Sequence, residues 1–162
     1  MENHKLMTYR PKHFTLPELV DPWFLANHTE AECWAMLDPN ALKAIDALRE
    51  MLGPILINGR GYTESGLRRS DTATGAKYSM HKFIEGRLAA AFDLKFLAGG
   101  VTPRKVFEWI VAHPVEAYAM GIRRVEDIAY TSRSTGPYFG WLHIDSKDTG
   151  PNNVNKIVIV KP

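Results

Sequence analysis

The sequence predicts an α+β fold: a single domain over residues 1–162, with a central antiparallel sheet, an N-terminal helical segment packed on it and further flanking helices. Three observations predict this. A chain of 162 residues is about the length of one domain. Its hydrophobic fraction of 45% suits a globular core. The clearest helical patterns lie before residue 121, and three strand-like runs close the chain. Helices first and strands last is the order of α+β proteins rather than of alternating βαβ units.

The first 40 residues are irregular and aromatic-rich, with short helices over 16–20 and 30–37 that Thr15 and Thr29 can cap. Asn40 can cap a longer helix over 41–52, in which Leu42, Ile45, Leu48 and Leu52 share a face and Gly53-Pro54 stops the pattern. Residues 55–58 read as a short buried strand. Residues 59–78, rich in glycine, serine and threonine, read as a long loop of the kind that carries function or disorder. A helical turn over 84–90 would lead into a strand over 91–97, which Gly99-Gly100 breaks. Thr102 caps the next helix, with Pro103 at its first position and Val106, Trp109 and Ile110 on one face. It ends before His113-Pro114, because the residue preceding a proline is pushed out of helical geometry. A short helix over 114–120 ends at Gly121, and strands follow over 122–129, 139–145 and 156–161.

The formal net charge of +2 is too weak to argue for nucleic acid, and would not repel an anionic polymer such as a bacterial wall. Cys33 is the one cysteine, which excludes an internal disulfide and a thiolate-rich structural zinc site. No run approaches the length of a membrane span. The polar N-terminus carries no apolar signal core, so the expectation is a protein cytoplasmic as synthesised.

His81, Asp93 and His143 lie on or beside predicted strands. Two histidines and an acid, with a fourth position open, form the ligand set of a catalytic zinc site. Each also has a plainer reading, as a hydrogen-bonded histidine or a sheet-edge acid, and spacing by itself leaves both open. His143 lies between Leu142 and Ile144, so in a strand it faces away from both, towards the side of Trp141 and Asp145. Arg68, in the long loop, is either a clamp for a substrate carboxylate or developing oxyanion or a solvated loop arginine. Glu126 shares a strand face with Arg124, and is either a general base or an ion-pair partner. His113 reads as a helix-end residue beside the last carbonyls, Trp109 as core, and Arg104, Lys105 and Glu108 as a solvated helix face.

The order Ser65-Gly66-Leu67-Arg68, Ser79-Met80-His81, Ala91-Phe92-Asp93 and Trp141-Leu142-His143-Ile144-Asp145 resembles the zinc D-Ala-D-Ala carboxypeptidase and L-Ala-D-Glu endopeptidase family, which shares the fold of the Hedgehog signalling domain. The likeness is nearest to small phage endolysin-type members. Phe14-Thr15-Leu16-Pro17-Glu18-Leu19-Val20, Ile55-Leu56-Ile57-Asn58 and Arg124-Val125-Glu126-Asp127 extend it from about residue 14 to the end.

The resemblance implies Zn2+ held by His81, Asp93 and His143, with Arg68 binding substrate or oxyanion. It implies Ser79 as support for the His81 loop and a contributor to substrate binding. Tyr138 and Trp141, with Tyr62 and Tyr130, would line the groove, and the substrate would be the peptide stems of bacterial peptidoglycan. It further implies no nucleic acid, no membrane insertion, and holin-dependent release from the host cytoplasm if phage-encoded.

Two departures stand out. The family spacing from histidine to aspartate is seven positions, whereas His81 to Asp93 is twelve, with the extra residues around Glu85-Gly86-Arg87. A loop can absorb them, Glu85 could compete as a ligand, or the site could be damaged. The last outcome would leave a catalytically inactive relative serving as a phage structural or wall-binding module. Several relatives also carry their general base three positions before the last ligand, where this chain has Gly140. Glu126, Asp127 or Asp145 would then serve, and Glu126 is favoured.

Overall fold

The computed structural model describes residues 9–72, 78–84, 86–132 and 140–162. They form one α+β domain around a five-stranded mixed sheet. The helices are α1 (Pro22–Asn27), α2 (Glu30–Ala35), α3 (Pro39–Leu52), α4 (Pro103–Ala112), α5 (Pro114–Met120) and α6 (Ile128–Thr131). The strands are β1 (Ile55–Leu56), β2 (Ala91–Phe96), β3 (Arg124–Glu126), β4 (Leu142–Asp145) and β5 (Val158–Val160), in the spatial order β1-β2-β4-β3-β5. Neighbours are antiparallel except β5, which runs parallel to β3. The expected all-antiparallel sheet is corrected at that edge. The chain reaches β5 through a turn over Pro151–Asn153 rather than a tight hairpin from β4, so the last strand returns beside β3 in the same sense.

Alternation along the strands divides the sheet into two chemical faces. Phe92, Leu94 and Phe96 of β2, Leu142 and Ile144 of β4 and Val125 of β3 join Leu42, Ile45 and Leu48 of α3 and Val106 and Ile110 of α4 in one buried core. The other face carries Asp93 and Lys95, His143 and Asp145, Arg124 and Glu126. Every residue of β2 is buried, so its polar face is covered too, in part by Arg68 and His81 of the loop, which reach the Asp93 carboxylate, while the Ser65 carbonyl accepts the Asp93 amide along the strand edge at 2.8 Å.

Several boundaries move. Asp38, not Asn40, caps α3: its carboxylate accepts the amides of Asn40 and Ala41, and Pro39 takes the first helical position, where its missing N–H costs nothing. The same device, Asp21 before Pro22, starts α1 in a stretch expected to be irregular. The predicted helix over 16–20 is one 3-10 turn over Leu16–Glu18. The expected strand over 122–129 keeps only β3, because Asp127 caps α6 through the Ala129 amide. The expected helical turn over 84–90 is instead a tight reversal in which Ile84 and Arg87 exchange both backbone hydrogen bonds and Gly86 takes φ +76°. A positive φ at that point ends any helix and favours glycine.

Candidate metal centre

Asp93 and His143 are direct cross-strand partners on β2 and β4, which puts both side chains on the polar face at short range. His81 comes from the loop, where backbone fixes it from both sides. The Arg68 amide donates to the His81 carbonyl at 2.8 Å, and the His81 amide donates to Ser79 Oγ at 3.3 Å. The His81 ring lies 3.0 Å through Nδ1 from the Gly66 carbonyl. A carbonyl only accepts, so Nδ1 carries the proton and Nε2 presents its lone pair. Gly66 can sit there because it has no side chain: a Cβ would lie 2.0 Å from the Leu19 carbonyl oxygen.

Three atoms converge. His81 Nε2 lies 3.2 Å from His143 Nδ1 and 3.2 Å from Asp93 Oδ1, and His143 Nδ1 lies 2.9 Å from the same oxygen. Tetrahedral zinc with ligand distances of about 2.0 Å holds ligand atoms about 3.3 Å apart, so the triangle is slightly tighter than a metal would set it. The side chains are 3%, 12% and 13% exposed for His81, Asp93 and His143 respectively. This buried group could hold a metal ion. The donors fit: one imidazole already has its tautomer fixed, and two nitrogens and a carboxylate oxygen leave a fourth position to solvent or substrate.

Behind these atoms stands a supporting layer. Asp145 Oδ2 lies 3.4 Å from His143 Nε2, and Arg124 grips both Asp145 oxygens at 2.7–3.1 Å. A carboxylate on the far nitrogen of a ligating histidine orients the ring and raises its basicity. Arg68 Nη2 donates to Asp93 Oδ2 at 3.1 Å, so Asp93 offers one oxygen to the cluster and the other to a guanidinium. Arg68 Nε donates to the Glu64 carbonyl.

The electrostatics follow from this packing. Burial pushes Asp93 up, but the charges and hydrogen bonds of His81 and His143 outweigh it and hold the carboxyl far below the usual range. Burial likewise opposes ionisation of Asp145, and His143 and Arg124 reverse the sign. Burial lowers His143, yet Asp145 and Asp93 push it up to about 10. His81 is pushed down, chiefly by burial. Without a metal the pair therefore carries about one proton beyond two neutral rings, held on His143.

The chain was compared with known protein families, with curated proteins and with solved structures, and it matches none of them.

Of the other predicted site residues, Glu126 is half-buried on β3. Continuing the β3–β4 register one step beyond Val125 and Ile144 sets it abreast of His143. Burial pushes its pKa up, His143 and Arg68 pull it down, and Asp93 raises it further. Asp127 is committed to capping α6. Asp145, named as a catalytic candidate, is placed behind His143 with both oxygens on Arg124. Ser79 supports the His81 turn. Trp141 is half-buried at the start of β4, with its amide on the Thr131 carbonyl at 3.3 Å. Tyr62 and Tyr130 are exposed. Tyr138 and Glu85 lie outside the described residues. His113 caps α4 as expected, with Nδ1 2.8 Å from the Trp109 carbonyl.

Two contributors escaped the sequence reading. Arg87 donates to the carbonyls of Tyr78, Ser79 and Lys82 at 2.7–3.2 Å, tying together the loop that carries His81. Lys95 is buried on the polar face of β2. For Lys95 the strand alternation with Asp93 was a usable signal; for Arg87 the sequence held none.

Proposed function

We propose that the protein is a zinc-dependent peptidase that hydrolyses peptide-stem amides of bacterial peptidoglycan. The observation that carries the reading is the convergence of His81 Nε2, His143 Nδ1 and Asp93 Oδ1 within 3.2 Å of one another, with Glu126 and Arg68 beside them. The choice of zinc rests on a mixed nitrogen and oxygen donor set with an open position. The choice of substrate rests on the order of motifs along the chain.

Zinc held there would supply Lewis acidity and a water acidified towards neutrality. The chain's own residues supply the rest. Glu126, raised by burial, is a carboxylate suited to take a proton from the attacking water and hand it to the leaving amine. Arg68 Nη1, which makes no hydrogen bond among the described residues, is available to a substrate oxygen gaining negative charge. The five extra residues between His81 and Asp93 do not displace the ligands. The loop closes where the Ala90 amide donates to the Met80 carbonyl at 2.8 Å, and the surplus forms the reversal at Ile84 and Arg87. This arrangement favours the active reading over the inactive relative.

The test is metal content by elemental analysis, wild type beside His143→Ala. We expect about one zinc per chain in the wild type and none in the variant, with release of fragments from purified walls by the wild type alone. Wild-type protein that stays metal-free after zinc is added back would end the peptidase reading.

A further inference from the structure

The proposed hydrolysis makes no use of an exposed aromatic group beside the loop that carries Arg68. Backbone joins α1 to that loop. The Asp21 amide donates to the Leu67 carbonyl at 2.9 Å, and the Leu67 amide donates to the Leu19 carbonyl at 2.8 Å. Trp23 follows in α1, with its own amide on Asp21 Oδ1 at 2.9 Å. Arg68 reaches Asp93 at the cluster. The next residue, Arg69, holds its guanidinium carbon 5.5 Å from the centre of the Trp23 ring.

Trp23 is 41% exposed, yet its ring is braced. Phe24 stands 5.2 Å away at 87°, and His28 stands 5.6 Å away at 66°. Arg69 also grips Asp71 through two parallel bonds, Nε to Oδ1 at 2.9 Å and Nη2 to Oδ2 at 2.6 Å. Both of those side chains are open to solvent. A fixed indole thus adjoins a planar pair of hydrogen-bonding groups, and Trp and Arg are the side chains that most often anchor a bound partner.

The charge balance selects that partner. Arg69 and Asp71 cancel, and Asp21 and Glu64 add negative potential at Arg69, so an anion gains little here. A cation would meet the guanidinium already over the ring. A neutral ligand with an apolar face and a rim of hydroxyls meets both parts. The C–H face of a sugar ring stacks on the negative face of an indole. Its hydroxyls pair with what the ion pair leaves over. A guanidinium has about five N–H donors and a carboxylate about four acceptor sites, and the Arg69–Asp71 pair uses two of each.

The geometry points to Trp23, Arg69 and Asp71 as a saccharide-binding subsite outside the metal centre. Resting on the peptidase reading, it names the partner: the glycan strand from which the stem peptides branch. Trp23 carries the sugar ring, and Arg69 and Asp71 take its hydroxyls. The strand is held against the same loop that sets Arg68 beside the cluster.

The test is calorimetric titration of the zinc-supplemented full chain with a soluble β-1,4-linked tetramer of N-acetylglucosamine. We expect saturable binding by the wild type that weakens about tenfold or more in Trp23→Ala. Arg69→Met and Asp71→Asn, which alter exposed groups, should each weaken it about fivefold. Zinc content should match the wild type in every variant. No saturable binding by the wild type, or binding unchanged in Trp23→Ala, would overturn the subsite. So would stronger Trp23-dependent binding of an anionic polymer, tested with poly(glycerol phosphate). Hydrolysis is scored separately, on sugar-free stem peptides and on intact walls. Trp23→Ala should match the wild type on free stems and fall behind it on walls; equal rates on both would overturn the glycan as partner. Trp23-dependent saccharide binding without hydrolysis of either substrate would retain the subsite and remove the peptidase. Hydrolysis of free stems without saccharide binding would do the reverse.

Discussion

In the proposed hydrolysis, proton transfer would fall to Glu126 by elimination among neighbouring acids. Asp127 spends its carboxylate on the Ala129 amide, and Asp145 gives both oxygens to Arg124. Asp93 is divided between the cluster and Arg68. Glu126 is the half-buried acid left on that face, and burial has raised its pKa. A base must be ionised to accept a proton, so turnover should fall as pH drops through a value above the ordinary glutamate pKa of about 4.3. Glu126→Gln keeps the shape and removes the acceptor. We expect it to lower kcat by about 10²–10⁴-fold, to retain zinc by elemental analysis and to flatten the acid limb of the pH–rate profile. A variant with wild-type turnover would move the role elsewhere.

At the scale of elements, the reversal after His81 shows which parts of the chain could be read in advance. Helices α3 and α4 are legible because Leu42, Ile45 and Leu48, or Val106 and Ile110, repeat at helical spacing beside strong stop signals. Strands β2 and β4 are legible, and with them the orientation of His143, because Leu142 and Ile144 are both fully buried in the core. The start of α1 is legible in Asp21-Pro22, an acidic cap followed by a proline at the first helical position. The parallel β5 and the turn at Gly86 were not legible, since each depends on partners distant in sequence or on a single backbone angle. Least visible was Arg87, whose three carbonyl partners exist only once the loop has closed. Its removal leaves those carbonyls without a charged donor, a loss of about 1.5–3 kcal/mol for a hydrogen bond to a charged group. It also loosens the backbone that carries a ligand. Arg87→Met should therefore lower the melting temperature and weaken zinc affinity by about 10–100-fold, as removal of a ligand's support does. Chelator competition measures the second effect. Unchanged affinity with lowered stability would make Arg87 a structural residue only.

For the whole molecule, the buried cluster ties folding to pH and, under the proposed function, to metal. In the metal-free folded chain His143 is raised to about 10 and His81 is lowered, so the pair holds about one proton beyond two neutral rings. Unfolded, both histidines titrate near 6.5. From about 6.5 to 10 the folded chain binds one more proton than the unfolded chain, so stability falls as pH rises. Below about 6.5 the unfolded chain binds the extra proton, and stability falls as pH drops. Asp93 and Asp145, both held low, deepen the acid loss once pH passes below about 4. Glu126, raised by burial, opposes them with one group against two. Each limb has a limiting slope of about 1.4 kcal/mol per pH unit per proton. The melting temperature of the chelator-treated chain should therefore peak near pH 6.5. Zinc needs neutral imidazoles and would displace the extra proton on His143, so its stabilisation should grow as pH rises from about 5.5 to 8. Melting curves across that range, with zinc and with chelator, measure both effects. A zinc-induced shift independent of pH would mean that the ion binds away from these two histidines.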